Sequence, residues 1–182
     1  MSQQMRRRQH GFTLIELLIV VAIIGIIAAI LIPNLIDALQ KAKQKRTMAD
    51  MRTVGTAFMS YVTDAASAAA AGSSNSTYEF GLLPNTGQGA AITGLEAILR
   101  PSATFFYLNE IPVVDGWKGE YDYHWADDVL AAKVFEVCSD GRDQGGSCHG
   151  TYTIGPFVPT QYDQNIIWAD GFFVRWPGGL TN

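Results

Sequence analysis

Residues able to bind, cross-link or carry charge into an unusual place form three groups in this chain. The first is Glu16, a carboxylate inside an otherwise apolar run. The second is Ser139, Asp140, Asp143 and Asp163, oxygen donors of the kind calcium accepts in flexible number, with backbone carbonyls completing the shell. Arg142 stands between two of these aspartates, so its charge can neutralise the loop without metal; a solvated loop whose aspartates cap turns is the other reading. The third group is Cys138 and Cys148, the only two cysteines, with His149 beside the second. The pair reads as a disulfide in an oxidising compartment, and closing that loop stabilises a fold by about 3 kcal/mol in the chain-entropy account. The three residues together could instead supply zinc ligands, but the spacing is unusual and a fourth ligand is not evident.

Enzyme chemistry finds little to work with. There is no Gly-x-Ser-x-Gly elbow, no Gly-x4-Gly-Lys and no His-Glu-x-x-His, and the three histidines are His10, His124 and His149. No catalytic residue is assigned, and the chain is expected not to be an enzyme. Trp117, Trp125, Trp168 and Trp176 either line a groove for carbohydrate or peptide or fill the core of a small domain; the second is expected.

The elements that must hold these residues are legible from composition and periodicity. The chain has 182 residues, 48% hydrophobic and 16% charged, enough for one domain with an appendage and too few for a multidomain enzyme. Its net charge of −4 conceals a division. Arg6, Arg7 and Arg8 precede every acid, leaving ten basic against 17 acidic residues in the rest, a balance of −7. The 110–170 stretch holds 11 acids against Lys118, Lys133 and Arg142, which argues against nucleic acid as its partner and suits a divalent cation or a basic partner better.

Residues 12–32 contain only two polar positions, Thr13 and Glu16, and as a helix span about 31 Å, enough for a bilayer core. The arginines on the near side predict a cytoplasmic N-terminus and translocation of everything after Pro33. A secretory signal peptide fits poorly: the run is too long and no small-x-small cleavage site follows it. Inside a bilayer, Glu16 costs on the order of 2.5 kcal/mol at the centre and less near the interface, so it either snorkels outward or has a partner. After Pro33 comes a basic stretch, Lys41, Lys43, Lys45, Arg46 and Arg52, either a solvated face or a contact for acidic surfaces of neighbouring subunits. Met51, Val54, Phe58, Tyr61 and Ala65 then make the stripe of an amphipathic helix that runs to about Ala71 and ends in the polar Gly72–Ser76 segment. Thr93 and Glu96 form a capping-box pattern opening a short helix with Leu95, Ile98 and Leu99 inward and Pro101 past its end. Strands are expected from Tyr121, at Val134–Val137, at Ile166–Trp168 and at Phe172–Trp176.

Gly11-Phe12-Thr13-Leu14-Ile15-Glu16, followed by the apolar run and Pro33, resembles the class III leader of type IV pilins and type II secretion pseudopilins. The resemblance implies a leader of residues 1–11 cut between Gly11 and Phe12 by a prepilin peptidase, N-methylation of Phe12, and a role for Glu16 in offsetting the amino terminus of a neighbouring subunit in a filament. A second stretch extends it. Tyr107-Leu108, Ile111-Pro112, Asp115-Gly116-Trp117 and Tyr121-Asp122-Tyr123 resemble the major pseudopilins, with Gly116 where proline is usual and Lys118 where glycine is expected. Ser139-Asp140-Gly141-Arg142-Asp143 resembles their Ser/Gly/Asp loop, where that group binds calcium; the cysteine pair is more typical of pilins.

The expected fold is therefore α+β, the pilin fold: a long helical spine, transmembrane over 12–33 and amphipathic over 34–72, packed on a small antiparallel sheet domain in 73–182. The resemblance implies a homopolymer that drives protein export from a type II secretion machine, working with an inner-membrane assembly platform. Its helix would sit in a bacterial inner membrane, with the C-terminal domain in the periplasm. An extracellular type IV pilus subunit is the alternative, and a membrane-anchored binding protein that never polymerises is a third reading.

Overall fold

The computed structural model describes residues 11–71, 89–102, 104–125, 135–145 and 153–178. Seven elements follow in order: α1 (Leu14–Ala70), α2 (Gly89–Leu99), β1 (Asp122–Trp125), β2 (Phe135–Ser139), β3 (Gly155–Phe157), β4 (Ile166–Ala169) and β5 (Phe172–Pro177). The chain divides into two compact units, residues 1–39 and 40–182.

Within the first unit α1 passes through Pro33 unbroken. Proline cannot donate to the Ala29 carbonyl one turn back, and the next residue, Asn34, adds a side-chain bond from Nδ2 to the neighbouring Ile30 carbonyl (3.3 Å). An 18-residue window of this helix reaches a mean hydropathy of 3.2 with none of it buried.

In the second unit the amphipathic stripe does what its spacing predicts. Met51, Val54, Phe58 and Ala65 are buried and Tyr61 is partly so. Met51, Val54, Phe58 and Tyr61 pack with Leu95 and Leu99 of α2 and with Tyr123, Phe135, Val137 and Trp168 on one sheet face. Phe58 stacks on Phe135 at 4.1 Å between centroids, and each large side chain so covered contributes about 1.5–3 kcal/mol. The wide Trp168 indole fits beneath α1 because residue 55 is glycine; a methyl built there falls on the six-membered ring.

The sheet order is β1-β2-β4-β5-β3. Register is fixed by Tyr123 opposite Val137, Val137 opposite Trp168 and Trp168 opposite Phe173. Three pairings are antiparallel, but β3 joins β5 in parallel, so the sheet is mixed where an antiparallel one was expected. The reason is the added strand: Gly155-Pro156-Phe157 has only three residues, reads locally as a loop, and reaches the sheet edge in the same direction as β5. A second correction concerns α2. It begins at Gly89, so Thr93 lies inside the helix and not before it; Ala90 and Ala91, strong helix formers, carry the helix one turn earlier. Leu95, Ile98 and Leu99 nonetheless face inward as expected.

Trp117 and Trp168 belong to the core, which answers the groove reading for those two; Trp176 is half-buried, and the Trp125 side chain lies outside the described residues. The Gly72–Ser76 segment also lies outside them.

Candidate functional site

Two regions hold the chemistry-bearing residues, one in each unit. In the first, Gly11, Phe12 and Thr13 are exposed and precede α1. Thr13 is the residue before the helix and Glu16 stands three positions on, and the two close a reciprocal capping box. Thr13 N–H donates to Glu16 Oε2 (2.8 Å), the Thr13 hydroxyl donates to the same oxygen (2.7 Å), and Glu16 N–H donates to Thr13 Oγ1 (3.3 Å). Glu16 therefore has hydrogen-bond partners in the turn that opens its own helix. Sequence reasoning passed over Thr13, although Thr-x-x-Glu before an apolar run is the capping-box signature. From Leu14 to Leu39 the large apolar side chains are exposed, Leu14 by 82% and Ile30 by 68%, a surface that water alone does not favour.

The second region surrounds the turn Asp115-Gly116-Trp117-Lys118-Gly119. Asp115 is buried, and its carboxylate accepts from Trp117 N–H and Gly119 N–H through Oδ1 (2.8 Å each) and from the Ser139 hydroxyl through Oδ2 (2.6 Å). Gly116 N–H donates to Thr47 Oγ1 of α1 (3.0 Å), and Trp117 Nε1 donates to Gln40 Oε1 (2.6 Å). A side chain at residue 116 would strike the Lys43 backbone. Lys118, where glycine was expected, adopts the left-handed conformation that glycine favours, at φ 71°. Nothing in the local sequence marked Asp115 as the centre of this network, because Thr47 and Ser139 lie far away along the chain.

Ser139, Asp140, Asp143 and Asp163 are not drawn onto a common point. Ser139 is fully buried, donates to Asp115 and accepts from Gly141 N–H (3.2 Å). Asp163 is held by Arg142 in a two-bond fork, Nε to Oδ1 at 2.7 Å and Nη2 to Oδ2 at 2.6 Å, with both side chains about half exposed. Those bonds hold the Asp163 carboxyl below the usual carboxylate range and raise the Arg142 guanidinium. Asp143 Oδ1 accepts from Gly145 N–H (3.4 Å), and Asp140 lines an open depression with Lys118, Glu120 and Gln144. Among the described residues, no three acidic, histidine or cysteine side chains are grouped to hold a metal ion. As arranged, the four donors do not fit a calcium ion, which needs converging oxygens that two of the four have already committed elsewhere.

Cys138 is fully buried on the sheet face shared with Ile167, and no free cysteine occurs among the described residues. Cys148 and His149 lie outside them. His124 sits on β1, its Nε2 3.6 Å from Asp122 Oδ1. In the basic stretch, Arg46 meets Asp50 at 3.5 Å and Arg52 lies over the Phe173 ring at 5.4 Å.

Against known proteins, residues 6–32 match the family described as the prokaryotic N-terminal methylation motif. The type II secretion system core protein G of Vibrio cholerae is 31% identical over 162 residues, covering 83% of this chain and 97% of that protein. Its Pseudomonas aeruginosa counterpart is 30% identical, covering 77% of this chain and 90% of its own length. The type IV major pilin protein PilA of Myxococcus xanthus is 49% identical over 57 residues, 31% of this chain and 26% of the pilin. No solved structure matches.

Proposed function

The chain belongs to the type II secretion system core protein G family, and from that premise we propose that it is a filament subunit of a secretion pseudopilus. The observation that carries this reading is the apolar helix from Leu14 to Leu39, its large apolar side chains exposed and a carboxylate at its head. One surface of this kind suits two environments in turn, lipid before assembly and the packed interior of a helical filament afterwards. Glu16 is the residue that tells them apart. In lipid its carboxylate is satisfied by Thr13 through the capping box; in the filament it also faces the new amino terminus of a neighbouring subunit.

That amino terminus arises when a prepilin peptidase cuts between Gly11 and Phe12 and Phe12 is N-methylated, a reading supported by the methylation-motif match over residues 6–32. The chain is anchored by this helix in the bacterial inner membrane, arginines inward, with the 40–182 unit in the periplasm and an assembly platform as its partner. Burial of Cys138 and the oxidising character of that compartment support a Cys138–Cys148 disulfide.

Intact-mass measurement of protein from membranes, followed by fractionation of sheared cells, tests the reading. The expected mature chain begins at Phe12 with one added methyl group, and Gly11→Val leaves a precursor about eleven residues longer, because a branched side chain obstructs a cut that needs a small residue. Glu16→Leu is expected to be processed and inserted normally yet to form no filaments; normal filaments from that variant would remove the assembly role. The pilus reading is favoured by the 49% identity to a pilin over 57 residues, and abundant protein in sheared surface fibres would establish it over retention with the inner membrane and periplasm.

A further inference from the structure

We infer that the loop after β2 carries its own cation, the Arg142 guanidinium, and that this acidic corner of the domain is closed without a bound divalent ion. The inference goes beyond the filament reading and stands whichever filament the subunit enters.

The loop is drawn onto residues 162–164 by three contacts at once. Arg142 N–H donates to the Tyr162 carbonyl (2.8 Å), the guanidinium forks onto both oxygens of Asp163, and it lies 6.0 Å from the Tyr162 ring centroid. Gly141 makes the approach possible. Its φ is +79°, and a β-carbon there would come within 2.7 Å of the Tyr162 carbonyl and 2.8 Å of the Gln164 carbonyl.

A calcium ion takes six to eight oxygens at about 2.3–2.6 Å. To use Asp163 it would have to stand where the guanidinium nitrogens stand, so the two cations compete for one position. To use Ser139 it would have to take a hydroxyl that already donates a hydrogen bond to Asp115 and accepts one from Gly141 N–H. Arginine suits the position: its planar donors match the two carboxylate oxygens, and its charge is permanent.

The test uses the full-length chain in detergent micelles. Calcium binding to the wild type is followed by isothermal titration, and melting is followed by near-ultraviolet circular dichroism in millimolar calcium and in chelator. Expected results are no saturable calcium binding, equal melting temperatures in the two buffers, and a lower melting temperature for Arg142→Gln and for Asp163→Asn in chelator. The double variant should melt no lower than the worse single one, because both remove the same fork, and the deficit should narrow in high salt because the pair is half exposed. Stoichiometric calcium binding to the wild type, with a higher melting temperature that Asp163→Asn abolishes, would overturn the inference. So would an Arg142→Gln variant that melts like the wild type in chelator. Titration of the wild type requires no variant to fold, and neither readout depends on filament formation.

Discussion

Removing the Asp115 carboxylate should loosen the domain substantially, because it is buried and accepts three hydrogen bonds. Asp115→Ala leaves three donors without their acceptor: Trp117 N–H, Gly119 N–H and the Ser139 hydroxyl, now bonded at 2.8, 2.8 and 2.6 Å. An orphaned buried donor costs about 1–3 kcal/mol, and partial relaxation of the turn with entry of water brings the sum to roughly 3–5 kcal/mol. For a chain of this size each kcal/mol moves the melting temperature by about 2–4 °C, so the expected fall is on the order of 10 °C. Asp115→Asn is the graded control. Its Oδ1 still accepts from both backbone N–H groups, and only the Ser139 hydroxyl loses its acceptor, so its expected cost is about 1–2 kcal/mol. Melting of the solubilised full-length chain measures both. Tryptophan fluorescence should shift to the red in Asp115→Ala as the turn releases Trp117 from Gln40. A loss below about 2 °C for the alanine variant, or equal losses for both variants, would refute the account of Asp115 as an anchor that works through directed acceptors.

Gly55→Ala is a helix substitution that ordinarily stabilises, yet its methyl falls on the Trp168 ring, so we expect overpacking to lower stability by about 1–3 kcal/mol; a higher melting temperature would show the gap to be wider. Lys118→Gly removes the left-handed strain of about 1–2 kcal/mol against an entropic loss of about 0.5–1 kcal/mol, so the variant should melt slightly higher, and a lower value would mean the lysine side chain contributes a contact. Burial, followed by the nearby Asp50 charge, pushes the Tyr121 and Tyr123 phenols well above their ordinary range. Their contribution to stability is therefore complete below the unfolded value near 10 and falls as pH rises above it, and two of the seven tyrosines should ionise, by absorbance near 295 nm, only together with unfolding.

How far the sequence foretold this molecule depends on how far apart the cooperating residues lie. The α1 stripe from Met51 to Ala65 and the inward Leu95, Ile98 and Leu99 were legible because one helix face repeats at a fixed period. Strands β2, β4 and β5 were legible from short apolar runs ended by Asp, Gly and Asn. β3 was not, since Gly-Pro-Phe contains one strand-favouring residue in three and gains its partner only from β5. The Thr93–Glu96 pattern misled because a local capping signal was outweighed by the helix-forming Ala90 and Ala91 before it. At the site, Glu16 was evident from its cost in lipid, while Thr13 required reading the same four residues as a cap. Arg142 was placed correctly among acids, but its partner Asp163 is 21 positions away, and Asp115 meets Ser139, and its neighbour Gly116 meets Thr47, only once the domain has closed.

The parallel strand has a bearing on how such a subunit avoids its own kind. β3 is the outermost strand beyond β5, three residues long, opened by a glycine at φ +118° and carrying Pro156, which has no N–H to offer. A sheet margin built this way presents almost no ladder for a second chain to extend. This flank of the domain is thereby closed to edge-to-edge pairing, and any association between copies has to use another surface.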